Sequence, residues 1–288
     1  MLTALVAVLV GTKRMLSAER AKSRSPFTEK MLRPPGESLR LRLDDLRLDL
    51  IEAMMAAGIF GLAPGVVAMP MDLSRIGVLV GWVVPTAASY AAAAFYWRKV
   101  RRLRESVRNC RLGFEGERYM GAELNRLMSQ GYRVFHDFLI DWDPGEASNR
   151  NIDHVVVGPA GVFAIETKAR RKSLTLDDGK NAYRVEFTGE ALQFPEGDDC
   201  KMLRQAARNA ADLSKWLTGS ASRKVVVTPV LVLPGWFVER RGQGEVFVWS
   251  GKEVVPNLPG VRGREGLNAE QIQQIGDRIE AHCRNVDL

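Results

Sequence analysis

Residues Asn151–Lys168 read NIDHVVVGPAGVFAIETK, two apolar runs around a turn, with two acids and a lysine at the end away from it. Val155–Val157 and Val162–Ile165 have strand composition, and Gly158-Pro159-Ala160-Gly161 between them is turn chemistry. Closing the hairpin symmetrically pairs Val157 with Val162, and counting outward sets Asp153 opposite Glu166. Side chains alternate along a strand, so Lys168 falls on the same face as Glu166. The register therefore gathers two carboxylates and an ammonium at one end of one sheet face. Such a group in an otherwise apolar hairpin is costly to bury unless it binds something.

A divalent cation and a phosphodiester are suitable partners. Phosphodiester hydrolysis needs the phosphate charge neutralised and an attacking water made acidic, which a metal does. Mg²⁺, or Mn²⁺ in its place, takes carboxylate and carbonyl oxygens and keeps several waters. Asp153, Glu166 and the backbone carbonyl of Thr167 are the expected metal ligands. Lys168 is placed to orient or deprotonate the water and to offset transition-state charge. Glu117, after Gly113-Phe114-Glu115-Gly116, adds a carboxylate through an intervening water. An acidic-x-Lys match carries no weight by itself, since about one arises by chance at this composition. Asp153, across a hairpin from Glu166, supplies the weight. The competing reading is an exposed sheet end where Lys168 forms a salt bridge with Glu166 or Asp153. Arg170, Arg171 and Lys172 follow directly and are positioned to grip flanking phosphates, although a solvated turn has the same composition.

Outward from the hairpin, the pattern is that of an α/β domain. Glu117–Gln130 carries Met120, Leu124, Leu127 and Met128 at helical spacing, and Gly131 ends it. Tyr132–Ile140 reads as a strand and Asp141–Asn151 as a polar loop. Leu174–Leu176 and Tyr183–Phe187 are weaker strands. Lys201–Leu217 is an amphipathic helix, Lys224–Leu233 a buried central strand and Val246–Trp249 a further strand. Asn268 caps a last helix ending at Cys283, with Ile272, Ile275 and Ile279 inward. This order predicts a mixed sheet between helices. His154 faces away from Asp153 as a packed or capping residue. His136 sits among apolar neighbours, and His282 suits the end of its helix. Glycine patterns for nucleotide binding or serine hydrolysis are missing.

The 288 residues hold 46% hydrophobic side chains and a net charge of +7, unevenly distributed. Ala53–Met71 and Ile76–Trp97 approach the ~20 apolar residues that span a bilayer. They predict two transmembrane helices, the competing reading being two buried helices of a soluble core. Arg40, Arg42 and Arg47 precede the first stretch, and Arg98, Lys99, Arg101, Arg102 and Arg104 follow the second. Basic flanks place both ends of such a hairpin in the cytoplasm, at a bacterial-type inner membrane. The basic collar suits anionic headgroups as well as nucleic acid. The expected layout is an arm over 1–49, a membrane hairpin over 50–104 and an α/β domain over 105–288. Met1–Gly11 is apolar but too short to span and lacks a basic start. Cys110, Cys200 and Cys283 form no paired motif and read as free thiols.

Gly113-x-x-Gly116-Glu117, the block Asn151–Pro159, the block Gly161–Lys168, and Gln205-x-x-x-Asn209-x-x-x-Leu213 together resemble the NERD (nuclease-related) domain. That family is grouped with the PD-(D/E)xK, restriction-endonuclease-like nucleases, and the likeness covers about Leu112–Leu217. It implies an α/β/α sandwich with Glu117, Asp153, Glu166 and Lys168 as the active-site set, and Gln205 nearby. It also implies Mg²⁺-dependent cleavage of nucleic acid, DNA before RNA, and allows a homodimer. Ile152 stands where the superfamily name has proline, as is usual in this family. The alternative function is a non-catalytic nucleic-acid-binding protein, or a membrane scaffold or sensor, that retains the fold.

Overall fold

The computed structural model describes residues 30–67, 83–140, 150–172, 183–219, 224–261 and 266–286. Strand β1 (Met31–Leu32) leads into helix α1 (Glu37–Val67), and helix α2 (Val84–Leu124) continues as a 3-10 turn to Gln130. Then come β2 (Arg133–Leu139), β3 (Asn151–Gly158), β4 (Gly161–Thr167), β5 (Arg184–Phe187), β6 (Leu192–Phe194) and β7 (Gly197–Asp199). Helix α3 (Lys201–Thr218) precedes β8 (Val227–Leu233), β9 (Phe237–Arg240) and β10 (Phe247–Ser250). The chain ends with α4 (Val254–Asn257), α5 (Ala269–Cys283) and β11 (Arg284–Val286).

The central sheet has the order β10-β8-β4-β3-β2. β8 is parallel to both neighbours, and β2, β3 and β4 form an antiparallel meander. β8 is buried along its whole length, as its mostly apolar, β-branched run requires of a strand covered on both faces. One face packs Val155, Val157, Val162 and Ala164 under Ala210 and Leu213 of α3 and Ile279 of α5. The other packs Val134, Val156, Phe163 and Ile165 under Met120 and Leu124 of α2 and Val254 of α4. This is an α/β fold with a mixed sheet between helices, compatible with a restriction-endonuclease-like domain. A second sheet, β7-β6-β5-β9, packs Val185, Phe187 and Leu192 beside Leu203 at the start of α3. Of that sheet only β5 was expected from the sequence; β6 and β7, three residues each, are too short for a period to show. The stretch Gly189–Asp199 holds the hairpin β6–β7. The weak strand expected at Leu174–Leu176 and most of the Asp141–Asn151 loop lie outside the described residues.

The hairpin register is the one its turn predicts, with Val157 paired to Val162 and Gly158 to Gly161. Gly158 is required by space, since a Cβ there would lie 2.0 Å from the Tyr132 ring. Asn268 caps α5 by accepting from the Gln271 N–H, and Gln271 returns the bond to the Asn268 N–H.

The N-terminal helices depart from expectation. Among the described residues no helix is long and apolar enough to cross a membrane. α1 joins its apolar end to a half bearing Asp44, Asp45, Asp49 and Glu52, and α2 turns from Ala91–Trp97 into the arginines from Arg98 onward. The expected spans 53–71 and 76–97 both run into residues 68–82, outside the described ones. The transmembrane hairpin is therefore not supported, although α1 and α2 do pack together: Phe60 stacks on Tyr96 at 5.6 Å, and the Ser89 hydroxyl donates to the Phe60 carbonyl. α2 also runs unbroken across residue 104, so the helix expected from Glu117 is the last part of a 41-residue rod.

Residues before α1 are tied to the α/β core. β1 pairs with β11, and the Arg33 N–H donates to the Cys283 carbonyl. The Arg33 Nε donates to Asp137 Oδ2 at 2.8 Å. The same oxygen accepts from the backbone N–H of Ser38 at 2.8 Å and from its hydroxyl at 2.9 Å, so Asp137 satisfies the first turn of α1 from another element. Asp137 is fully buried and has φ 51°, an uncommon left-handed conformation for a residue other than glycine.

Two substitutions test this arrangement. Arg33→Met leaves the Asp137 carboxylate buried without its cation and should cost about 3–5 kcal/mol, read as a lower urea midpoint. Gly158→Ala forces the Tyr132 ring aside and should cost about 1–3 kcal/mol by the same measurement.

Candidate functional site

The β3–β4 ladder is paired from Gly158/Gly161 to His154/Ile165 and stops one step short of Asp153/Glu166. Beyond it the Thr167 N–H donates to Asp153 Oδ2 at 2.7 Å, so a side-chain carboxylate replaces the missing strand partner. A strand residue directs its N–H and C=O to the same side. The Thr167 carbonyl therefore lies along the edge where Asp153 stands.

β2 breaks at the same level. His136 pairs with His154 and Phe138 with Ile152, while Asp137, facing Asp153 in register, is unpaired. Alternation slips there: Phe135 and Phe138 share one core cluster, as do Ile152 and Val155. The left-handed backbone of Asp137 produces the slip, and no sequence pattern announces it.

Glu166 is held from three directions. Its Oε1 accepts from Gln205 Nε2 at 2.7 Å and lies 2.7 Å from Lys168 Nζ, and its Oε2 accepts from Asn209 Nδ2 at 2.8 Å. Gln205 and Asn209 are one turn apart on α3, so a single helix face presents both amides. Asp153, Glu166, Lys168 and Gln205 are thus brought together. Asn209, buried like Glu166, is the member that the motif contained but whose role sequence reading missed. A buried amide on an otherwise apolar helix face was the available signal.

Glu117 reaches the group from the last turns of α2, where Gly116 admits close packing: a Cβ there would lie 2.7 Å from the Ala169 methyl. Glu117 is buried, and its Oε2 has no hydrogen-bond partner among the described residues. Its pKa is pushed up to about 8, by burial first and then by the Asp137 and Glu166 carboxylates, against the pull of Lys168. Burial, and then Glu166 and Glu117, hold the Asp153 carboxyl well above its usual range despite Lys168 and the Thr167 N–H. Burial acts to lower the Lys168 pKa, but Glu166 and Asp153 outweigh it and raise it, so this side chain is an ammonium at neutral pH.

Burial and mutual repulsion thus favour the protonated forms of Glu117 and Asp153, so a cation binding beside them would displace protons. Among the described residues no group of three or more His, Cys, Asp or Glu side chains is placed to hold a metal ion. The donor set is smaller: Asp153, Glu166 and the Thr167 carbonyl, with the partnerless Glu117 oxygen behind them. One or two carboxylates and a carbonyl, with water completing the shell, fit Mg²⁺ or Mn²⁺.

The remaining candidates separate clearly. His136 and His154 meet through their Nδ1 atoms at 2.9 Å on the α2 face of the sheet, and His136 Nε2 lies 3.3 Å from Asn125 Oδ1. Burial lowers the pKa of both, that of His136 to about 4, so they form a neutral pair away from the carboxylates. His282 Nε2 donates to the Leu139 carbonyl and packs on Phe138. Of the basic turn, Arg170 pairs with Glu196 and lies over Phe194. Arg171 donates to the Arg108 carbonyl and Asn109 Oδ1, and Lys172 sits 3.7 Å over the Tyr183 ring.

Comparison with curated proteins and with solved structures returns no match. The family model described as NERD, nuclease-related domain, matches residues 112–234. That stretch takes in the end of α2 with Glu117, Asp137 on β2, the β3–β4 hairpin, α3 and the whole of β8. Over residues 112–234 the chain is similar to the nuclease-related NERD domain.

Proposed function

We propose that this domain hydrolyses nucleic-acid phosphodiester bonds, those of DNA before RNA, with Mg²⁺ or Mn²⁺ held by Asp153, Glu166 and the Thr167 carbonyl. The observation that supports this most is the interrupted ladder: Asp153 and Glu166 stand side by side where β3 and β4 part, with Lys168 on Glu166. A divalent cation bound there supplies neutralisation of phosphate charge and acidification of water. The protein's own residues do the rest. Gln205 and Asn209 fix the Glu166 carboxylate, and the Thr167 N–H fixes that of Asp153. Lys168, charged at neutral pH, holds an attacking water by hydrogen bonding and offsets the negative charge that grows on the phosphoryl oxygens. Its raised pKa favours this electrostatic role over proton abstraction. Glu117 adds a further acceptor behind the ligands, and Arg170, Arg171 and Lys172 lie on the exit from β4 beside the substrate backbone.

Attachment to the cytoplasmic face of a membrane belongs to the same proposal. Its support is a set of exposed apolar side chains toward the far end of the α1–α2 pair, among them Leu62, Val84, Phe95 and Trp97. These side chains can enter the interface without a helix crossing it.

Labelled single-stranded, duplex and branched DNA, and RNA, incubated with the full chain and Mg²⁺, Mn²⁺ or EDTA, test the activity. Cleavage should require the metal and fall about 100-fold or more in both Asp153→Asn and Lys168→Ala. Binding without cleavage in any metal would move the domain to the non-catalytic class.

The pH dependence of stability tests the cluster separately. In the folded, metal-free protein Glu117 keeps its proton up to about pH 8, whereas unfolding returns it to an ordinary carboxyl near 4.5. Between these values the folded state holds the extra proton, so stability should fall as pH rises through the window, with the full penalty above it. Glu117→Gln stays neutral and should flatten that fall in thermal melts in EDTA. Equal slopes for both proteins would remove Glu117 from the cluster.

A further inference from the structure

The arginines of this protein divide into two populations. Those on the α/β core are mostly matched to acids: Arg126 to Glu123, Arg133 to Asp277 and Glu280, Arg184 to Glu239, Arg240 to Glu253, Arg284 to Glu280. On α2, upstream of the family match, Arg98, Arg101, Arg102, Arg104 and Arg108 are exposed and have no acidic partner among the described residues. With Glu105 they line one open groove of about 730 Å³. Surface guanidiniums left without carboxylates repel one another, and a run of five is retained at an electrostatic cost that an anionic ligand removes.

The direction of the run identifies the ligand. At 1.5 Å per residue, Arg98 to Arg108 covers about 15 Å along the helix axis. Its lower end is joined to the candidate site, because Arg171, three residues after Lys168, donates to the Arg108 carbonyl at 2.6 Å and to Asn109 Oδ1 at 3.0 Å. The charge is therefore a stripe that leaves the Lys168 end of β4 and climbs α2. Attraction to a membrane surface fades within about 8 Å at physiological salt. A bilayer at the apolar end of the helix pair would use Arg98 and leave Arg108 idle. A linear polyanion uses the whole stripe, and about 15 Å corresponds to roughly four phosphates of a duplex strand at 3.4 Å each.

We propose that the arginine face of α2 is a phosphate-backbone track that binds nucleic acid next to the carboxylate cluster and leads it toward that cluster. This deepens the nuclease reading and rests on it for what happens at the cluster. The contacts are to phosphates, so the track adds affinity and orientation without reading bases.

The test uses the full chain in EDTA, so that cleavage plays no part, and follows fluorescence anisotropy of labelled single-stranded and duplex DNA over a range of salt. The triple variant Arg101→Glu/Arg104→Glu/Arg108→Glu should bind at least about tenfold more weakly, with a salt slope shallower by about 2–3. The corresponding triple lysine variant keeps the charge and should stay within about threefold of wild type. Thermal melts of each variant confirm that it is folded. Unchanged affinity and slope in the charge-reversed protein overturn the track, even if the wild type cleaves DNA. Unchanged DNA binding with lost pelleting on phosphatidylglycerol vesicles also overturns it and assigns the face to headgroups. Weakened DNA binding in a protein that cleaves nothing with Mg²⁺ or Mn²⁺ upholds the track and overturns the nuclease reading alone.

Discussion

The Thr167 N–H must find an acceptor at the level where β4 has lost its backbone partner on β3, and Asp153 provides it with a side-chain oxygen at 2.7 Å. The site depends on that substitution. A continued ladder would have used backbone groups on both strands and left the two acids as a cross-strand like-charge pair, which is unfavourable. Parting the strands lets Asp153 turn toward the Thr167 edge while Glu166 turns toward α3, where Gln205, Asn209 and Lys168 neutralise it. Four polar contacts thus stabilise an arrangement that burial alone would forbid. They leave one oxygen of the neighbouring Glu117 without a hydrogen-bond partner among the described residues.

Asp137 is the counterpart of this device on β2. It stands opposite Asp153, breaks the ladder there with a left-handed backbone, and binds Arg33 and the first turn of α1. One helix of the N-terminal pair is therefore anchored beside the site through Asp137. The other, α2, carries Glu117 into it. The pair and the carboxylate cluster share a frame, and the arginine face of α2 is fixed relative to the cluster through Arg171.

Much of this was legible in the sequence where a local rule acts alone. The Gly-Pro-Ala-Gly turn fixed the β3–β4 register, the β-branched, mostly apolar run of β8 marked the central strand, and Asn268 marked the start of α5. The strands β6 and β7, three residues each, are too short for a period to show. The apolar stretches after Ala53 read as membrane spans, and both run into residues 68–82, outside the described ones.

Sequence by itself determined which side chains were available for chemistry and, through the two-residue period of a hairpin, that Asp153, Glu166 and Lys168 fall near one another. Tertiary structure alone decided how they are used. The parting of β3 from β4, the left-handed Asp137, the approach of Asn209 and Glu117 from two different helices, and the link from Arg171 to α2 all join residues far apart in the chain. Local propensity is blind to such contacts, because the burial and charge that make them favourable exist only once the sheet and helices have packed.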